Sequence, residues 1–289
     1  MLTRLLLLFT VIVWGWTFVA TKICLDFVNP VELLGLRLLL GLPVLLAVIV
    51  FKKVRFEFTH AEWGRVLIGA AVITSHFLIQ VSGMRYTTAT NTGWIISVTP
   101  LVMAVLSFLF LKERLGGAQY AGIAVATFGI LLLVSRGDLA SIGWLKSTGD
   151  WLVLISAHTW AIYTVATRDI SRNRNPLAVT FAMLVPALVV TLFYILFVSD
   201  WTKFAQMSPR AVWALLFLAI PGLALGHWFW QTGVAKIGAA RAGIYLYLEP
   251  VATTVLAIPL LHEPFGPATA IGGGLVLAGV WLGQKQKVG

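Results

Sequence analysis

Residues 30–51, PVELLGLRLLLGLPVLLAVIVF, carry only Glu32 and Arg37 as charges, and comparable apolar stretches follow one another along the chain. About 20 such residues let an α-helix cross ~30 Å of hydrocarbon. This constrains the fold more than any other feature, because a backbone inside lipid must satisfy its own hydrogen bonds. Ten segments can be marked, at about 4–24, 31–51, 63–84, 90–111, 118–135, 150–168, 177–198, 211–233, 242–261 and 268–284. None shows the strict alternation of a barrel strand. The chain therefore reads as an all-α polytopic membrane protein with ten transmembrane helices. Composition agrees: the 289 residues are 59% hydrophobic and 11% charged, where a soluble domain carries about a quarter charged. The first apolar segment is taken as a span rather than a cleaved signal, because a matching segment recurs internally.

The net charge of +10 would suggest nucleic acid in a soluble protein. Here the basic residues sit in short loops, so topology accounts for them. Fourteen of the 21 Lys and Arg fall on one side: Arg4, Lys52, Lys53, Arg55, Arg65, Lys112, Arg114, Arg168, Arg172, Arg174, Lys236, Arg241, Lys285 and Lys287. Six fall on the other (Lys22, Arg85, Arg136, Lys146, Lys203 and Arg210), and Arg37 lies within the second span. The basic side stays cytoplasmic, which places both termini inside the cell and the protein in the inner (plasma) membrane. Trp63, Trp144, Trp151, Trp201, Trp213 and Trp281 fall at span ends, as an aromatic belt does. Cys24 is the single cysteine, so no internal disulfide and no Cys pair for zinc exist.

The chain is written twice. Thr99–Val134 aligns without gaps to Glu249–Gln284 at an offset of 150. The alignment pairs Pro100 with Pro250, Glu113 with Glu263, Gly116 with Gly266, Gly122 with Gly272 and Gly129 with Gly279. Near the start the offset is 146, pairing Trp14 with Trp160, Thr21 with Thr167, Lys22 with Arg168 and Asn29-Pro30 with Asn175-Pro176. Two halves follow, 1–141 and 142–289, of five spans each. An odd number of spans inverts the second half in the membrane, a plan used by secondary transporters, which bind substrate near the midplane between the halves.

On the motifs TPLVMAVLSFLFLKERL and LEPVATTVLAIPLLHEPF, and over essentially the whole chain, the sequence resembles the EamA-type proteins of the drug/metabolite transporter superfamily. In length and in aromatic content it is similar to the bacterial aromatic amino-acid exporters of that group. The resemblance implies helices arranged around a central cavity, and export as the direction of transport. One departure stands out: LHEPF replaces LKERL in the second half, so the basic residue after the glutamate is missing.

Polar side chains in a span face protein or water rather than lipid. Trp14, Thr17 and Thr21 share one helical face, and Trp160, Tyr163, Thr164 and Thr167 repeat it in the sixth span. His76, Gln80, Gly83 and Thr87 form a face in the third span, with His227, Trp230 and Gln231 near the equivalent position in the eighth. Trp94 in the fourth span, and Tyr245 and Glu249 in the ninth, complete the substrate-binding set. Each also has a bland use: tryptophan filling a helix interface, threonine bonding its own backbone, His and Gln bonding across helices. His158 lies on another face. Rings of this kind stack on aromatic solutes and attract cations, and the polar groups suit ammonium and carboxylate ends. The expected partners are thus a small-molecule substrate, an aromatic amino acid or flat organic cation, and the bilayer itself. No nucleic acid, obligate protein partner, cofactor or metal is implied. Acidic ligands are too few for a metal, and H-E-x-x-H, G-x-S-x-G and P-loop patterns are missing, so neither an enzyme nor an ATP-driven pump is indicated. A receptor or scaffold lacks an output domain.

Pro100 and Pro250 cannot donate to the carbonyls of Ile96 and Leu246, giving paired weak points that suit a hinge or a fixed kink. Glu249 stands where the first half has Thr99. An ionised carboxylate at the bilayer centre costs roughly 2.5–3.5 kcal/mol, which a protonated acid avoids. Three roles remain open for it: donating to the Leu246 carbonyl, holding a substrate ammonium, or carrying a coupling proton. The first is favoured, because Thr99 does not titrate near neutral pH.

The charge asymmetry places the loop containing Lys53 in the cytoplasm and the loop containing Ser141 outside. With Cys24 replaced by serine, Ser141→Cys should react with an impermeant maleimide on intact cells, and Lys53→Cys only after permeabilisation. The opposite labelling pattern would reverse the topology.

Overall fold

The computed structural model describes residues 1–134, 147–261 and 267–283. In chain order the helices are α1 (Leu2–Leu25), α2 (Pro30–Phe51), α3 (His60–Met84), α4 (Ala89–Ile96), α5 (Thr99–Leu111), α6 (Gly117–Val134) and α7 (Thr148–Asn173). There follow α8 (Pro176–Phe197), α9 (Thr202–Ala205), α10 (Pro209–Phe217), α11 (Gly226–Ile237), α12 (Ala239–Gly243), α13 (Leu248–Leu261) and α14 (Pro267–Gly283). A π-helical stretch, Leu218–Leu225, joins α10 to α11, and a 3-10 turn, Ile244–Tyr247, joins α12 to α13. Every regular element among the described residues is helical. The repeat-related Glu263 and Gly266, the boundary at 141/142, and Arg136, Trp144, Lys146, Lys285 and Lys287 lie outside the described residues.

Local sequence sets the helix starts. Asn29 and Asn175 each precede a proline, and each side chain accepts backbone N–H groups of the helix that follows. Proline at the first helical position lacks an N–H that would otherwise be left without a partner. Thr59 with Glu62, and Ser147 with Asp150, form capping boxes that open α3 and α7.

Seven helical runs among the described residues are long and apolar enough to cross a membrane. Four are single helices: α1, α2, α3 and α8. Three are composite: Ala89–Leu111, Pro209–Ile237 and Ala239–Leu260. Shorter apolar helices cover Gly117–Leu132 and Ala270–Gly283, and α7, 26 residues long, carries Asp150, Arg168, Asp169 and Arg172. The sequence marks the fourth, eighth and ninth segments as single spans with weak points at Pro100 and Pro250, and the structure restarts the helix near each proline and places a π-helical stretch within the eighth. Pro100 sits in the first turn of α5, after a turn at Ser97–Val98, rather than inside a helix. Pro250 likewise falls in the first turn of α13, after the 3-10 stretch. Proline stabilises a helix start but disrupts an interior, so the chain restarts its helix at each.

Packing brings α3 against α7, α2 against α8, and α1 against α11 and α13, with α4 and α5 also on α7. The outward faces are apolar: Phe51, Phe110, Val190 and Phe197 are exposed, as are Trp63, Trp151, Trp201, Trp213 and Trp281. The pair α6 and α14 meets through glycines that the sequence repeat relates. A Cβ on Gly122 would lie 2.5 Å from the Gly279 carbonyl oxygen, and one on Gly129 would lie 2.7 Å from that of Gly272. Small residues allow such backbone approach where lipid offers no hydrophobic drive between helices.

Gly122→Ala should therefore force α6 and α14 apart and destabilise the fold by about 1–3 kcal/mol. Gly273→Ala, in α14 with open space around its added methyl, should not lower the melting temperature. Thermal unfolding of both variants in detergent checks the contrast; equal melting would deny the close contact.

Candidate functional site

Helix α1 is held to the π-helical stretch by close approach. A Cβ on Gly222 would meet Thr17 Cγ2 at 2.9 Å, and one on Gly226 would meet Trp14 Nε1 at 2.6 Å. This Gly-x-x-x-Gly contact lets the Trp14 indole donate to the Gly222 carbonyl at 2.9 Å. Trp14 then meets Trp160 of α7 edge to face, ring centroids 5.0 Å apart. His76 lies 5.0 Å from Trp160 and His227 lies 5.2 Å from Trp14, so each tryptophan is flanked by an imidazole. The four rings are buried.

Beside them lies a cavity of about 50 Å³, room for a few water molecules. Trp14, Thr17, His76, Gln80, Trp160, His227 and Glu249 line it, joined by Phe18, Thr21, Arg37, Phe77, Ile96, Thr99 and Leu246. Four of the residues named from sequence lie elsewhere. Tyr163 and Gln231 are buried beyond the cavity floor, where Gln231 Nε2 donates to the Tyr163 hydroxyl at 2.7 Å and to Thr167 Oγ1 at 3.1 Å. Ser171 Oγ donates to Gln231 Oε1 at 3.0 Å. This network ties α7 to α11, so these side chains are already paired. Trp94 faces a separate apolar crevice with Ile95, Thr127 and Tyr247, and Tyr245 is buried in the hydrophobic core. Both are carried aside by helix breaks that heptad spacing does not reveal. His158 is exposed and bonded to the Leu154 carbonyl of its own helix.

The polar members differ in how far the protein satisfies them. His76 Nδ1 lies 2.9 Å from the Ser156 carbonyl, and His227 Nδ1 lies 2.8 Å from that of Leu223. His227 Nε2, Thr99 Oγ1 and Arg37 Nε are buried without a partner. The Arg37 guanidinium carbon sits 5.2 Å from the Phe77 ring centre. The tie from Glu249 to the Leu246 carbonyl, favoured from sequence, has no hydrogen bond in its support among the described residues. Within the 3-10 turn the Leu248 N–H reaches back to the Tyr245 carbonyl. The Glu249 backbone carbonyl accepts from Thr253 Oγ1, and among the described residues no side-chain or backbone donor reaches its carboxyl. Sequence inspection overlooked Arg37 as a site residue. The signal was present, since an ionisable group in mid-span marks a functional position by default.

Polar ties lie beyond the cavity in both directions. Lys22 Nζ donates to the carbonyls of Met84 and Thr87 at 2.9 and 3.1 Å, while Thr87 and Asn91 donate to Asp150 at 2.5 and 2.6 Å. At the other end of α7, Arg168 pairs with Glu113 at 3.1 Å. The same Glu113 accepts from the N–H groups of Ala239 and Ala240.

The EamA-like transporter family matches residues 1–135 and again 147–283. A transporter of Archaeoglobus fulgidus without an assigned substrate is 27% identical over 97% of this chain and 96% of its own. The transporter YyaM of Bacillus subtilis is 27% identical over 92% and 88%. A "Probable terminal-alkyne amino-acid exporter" of Streptantibioticus cattleyicolor is 28% identical over 77% and 73%. A solved crystal structure superposes with a TM-score of 0.78 at 22% identity, covering 97% of both chains, and so shares the fold.

Tyr163→Phe removes the hydroxyl that accepts from Gln231. It should lower stability by about 0.5–1.5 kcal/mol while leaving the concentration dependence of transport unchanged. Melting in detergent and uptake by proteoliposomes separate the two effects; a changed half-saturating concentration would put Tyr163 in the binding cavity.

Proposed function

Since the chain belongs to the EamA-like transporter family, we propose that it is a secondary transporter of the inner membrane that exports aromatic amino acids and related small organic compounds. The observation that carries this reading is the meeting of Trp14 and Trp160 beside a small, polar-studded cavity, flanked by His76 and His227. Aromatic walls stack on aromatic solutes, and the polar groups suit an amino-acid head. A relative described as a "Probable terminal-alkyne amino-acid exporter" supports amino acids as the solute and export as the direction.

Alternating access between two inverted five-helix repeats is the mechanism proposed. Its supports are the double family match, the repeat pairing in sequence, and the placement of the Lys22 end of α1 beside the Asp150 end of α7, which sets these related helices antiparallel. A cavity of about 50 Å³ is too small for an aromatic amino acid, so loading requires Trp14 and Trp160 to part. An edge-to-face aromatic pair contributes roughly 0.5–1.5 kcal/mol beyond its burial, and an incoming ring replaces that contact. The restarts at Pro100 and Pro250 are the proposed hinges. A flat organic cation is the second reading, favoured by the Glu249 carboxyl in the cavity; the Arg37 guanidinium beside it opposes a solute bearing positive charge alone.

Cells overproducing the protein should tolerate toxic aromatic amino-acid analogues better and release more aromatic amino acid. Counterflow of a labelled amino-acid panel in proteoliposomes, with and without a pH gradient, tests this directly. Flux of aromatic residues no greater than in empty liposomes would reject it.

A further inference from the structure

The cavity holds a guanidinium and a carboxyl group that do not pair with each other. Arg37 of α2 is 5% exposed and Glu249 of α13 is 3% exposed. Both line the same space, yet among the described residues no ion pair joins them. Phe77 covers the guanidinium, whose Nε–H is left without an acceptor. The Glu249 carboxyl is left without a donor. His227 Nε2 and Thr99 Oγ1, in the same lining, are also unpartnered. Buried polar groups in a native fold are paired as a rule, and an uncompensated charge inside a membrane protein is strongly unfavourable. Four unsatisfied groups around one cavity point to a ligand that satisfies them.

Building on the exporter reading above, we propose that Arg37 takes the α-carboxylate and Glu249 the α-ammonium of a zwitterionic solute, so that the cavity selects free amino acids over amines and N-acylated acids with the same ring. The planar guanidinium matches a carboxylate with two parallel hydrogen bonds. The ammonium supplies the donors that the Glu249 carboxyl lacks. A zwitterion compensates both protein charges at once and adds no net charge to the interior. A bare cation leaves Arg37 uncompensated, and a bare anion does the same to Glu249. Sequence alone left the role of Glu249 open and gave Arg37 none.

The test is competition against labelled L-phenylalanine counterflow in proteoliposomes, using unlabelled phenylalanine, phenylalaninamide, which lacks the carboxylate, and N-acetylphenylalanine, which lacks the ammonium. The wild-type protein should bind each analogue about tenfold or more weakly than phenylalanine, the span of one charge-assisted contact. Arg37→Gln should abolish the preference for phenylalanine over the amide and keep the preference over the N-acetyl compound. Glu249→Gln should do the reverse. Arg37→Lys should retain part of the discrimination against the amide. Where a variant no longer supports flux, ligand-induced stabilisation in detergent provides the same ranking. If both Gln variants weaken all three compounds by one common factor, the residues only shape the cavity and the zwitterion clamp is overturned, while the exporter reading stands. If the wild-type protein moves phenethylamine but no amino acid, the exporter reading fails and takes the clamp with it.

Discussion

A backbone group left unpaired in hydrocarbon costs several kcal/mol, roughly, yet this chain breaks three of its apolar runs. Each break is closed by a local device. Ser97 Oγ donates to the Trp94 carbonyl where α4 ends. In the 3-10 turn before α13 the Leu248 N–H bonds back to the Tyr245 carbonyl. The π-helical stretch around Pro221 offers the Gly222 carbonyl to the Trp14 indole. Two of these breaks contribute directly to the cavity wall: Ile96 and Thr99 flank the first, and Leu246 and Glu249 flank another. Irregular backbone is tolerated at membrane depth where it lines a cavity, so the breaks and the site have one physical origin.

The same economy governs the ends of the bundle. Lys22 and Arg168 are related by the sequence repeat. Lys22 binds the Met84 and Thr87 carbonyls, and Thr87 donates to Asp150 at one end of α7, while Arg168 pairs with Glu113 at the other. Asp150 and Arg168 are 18 residues apart on one helix, about 27 Å. Glu113 belongs to the LKERL motif, and its contacts give the motif a physical purpose. From the end of α5 in the first half of the sequence, it joins α7 to the N–H groups that open α12, both in the second half. The corresponding Glu263 lies outside the described residues. On the alternating access proposed above, one of these ties releases while the other holds.

Much of this was legible in the sequence because local chemistry fixes it. Asn-Pro pairs and capping boxes announce four helix starts, and helical spacing places Trp14 beside Thr17 and His76 beside Gln80 on single faces. Long-range geometry was not legible. Nothing in LAIPGLAL distinguishes a π-helical stretch from an ordinary kink, yet that stretch decides where Trp14 is anchored. Gln231 follows His227 by one turn and suits a binding face equally well, but α7 comes close enough for Tyr163 and Thr167 to claim it. Trp94 and Tyr245 share the composition of a binding wall, and only the helix breaks turn them away. Arg37 was visible throughout: it stood apart from the loop charges, within the second span, and no role was read from it.

On the clamp proposed above, the departures from internal symmetry carry the chemistry. At an offset of 150, Glu249 answers to Thr99, and at the early offset of 146, Arg37 answers to Met183. The first half therefore brings a guanidinium and a hydroxyl to the cavity, and the second brings a carboxyl. The aromatic parts are nearly self-related: Trp14 pairs with Trp160, and their flanking histidines are offset by a single residue. A symmetric aromatic wall accepts a ring without regard to direction. An Arg on one side and a Glu on the other give the cavity a polarity, and so a preferred orientation for any solute with two charged ends. On the alternating-access mechanism proposed above, the duplicated scaffold exchanges one conformation for its two-fold-related counterpart, while the unduplicated Arg37 and Glu249 set what it holds in either.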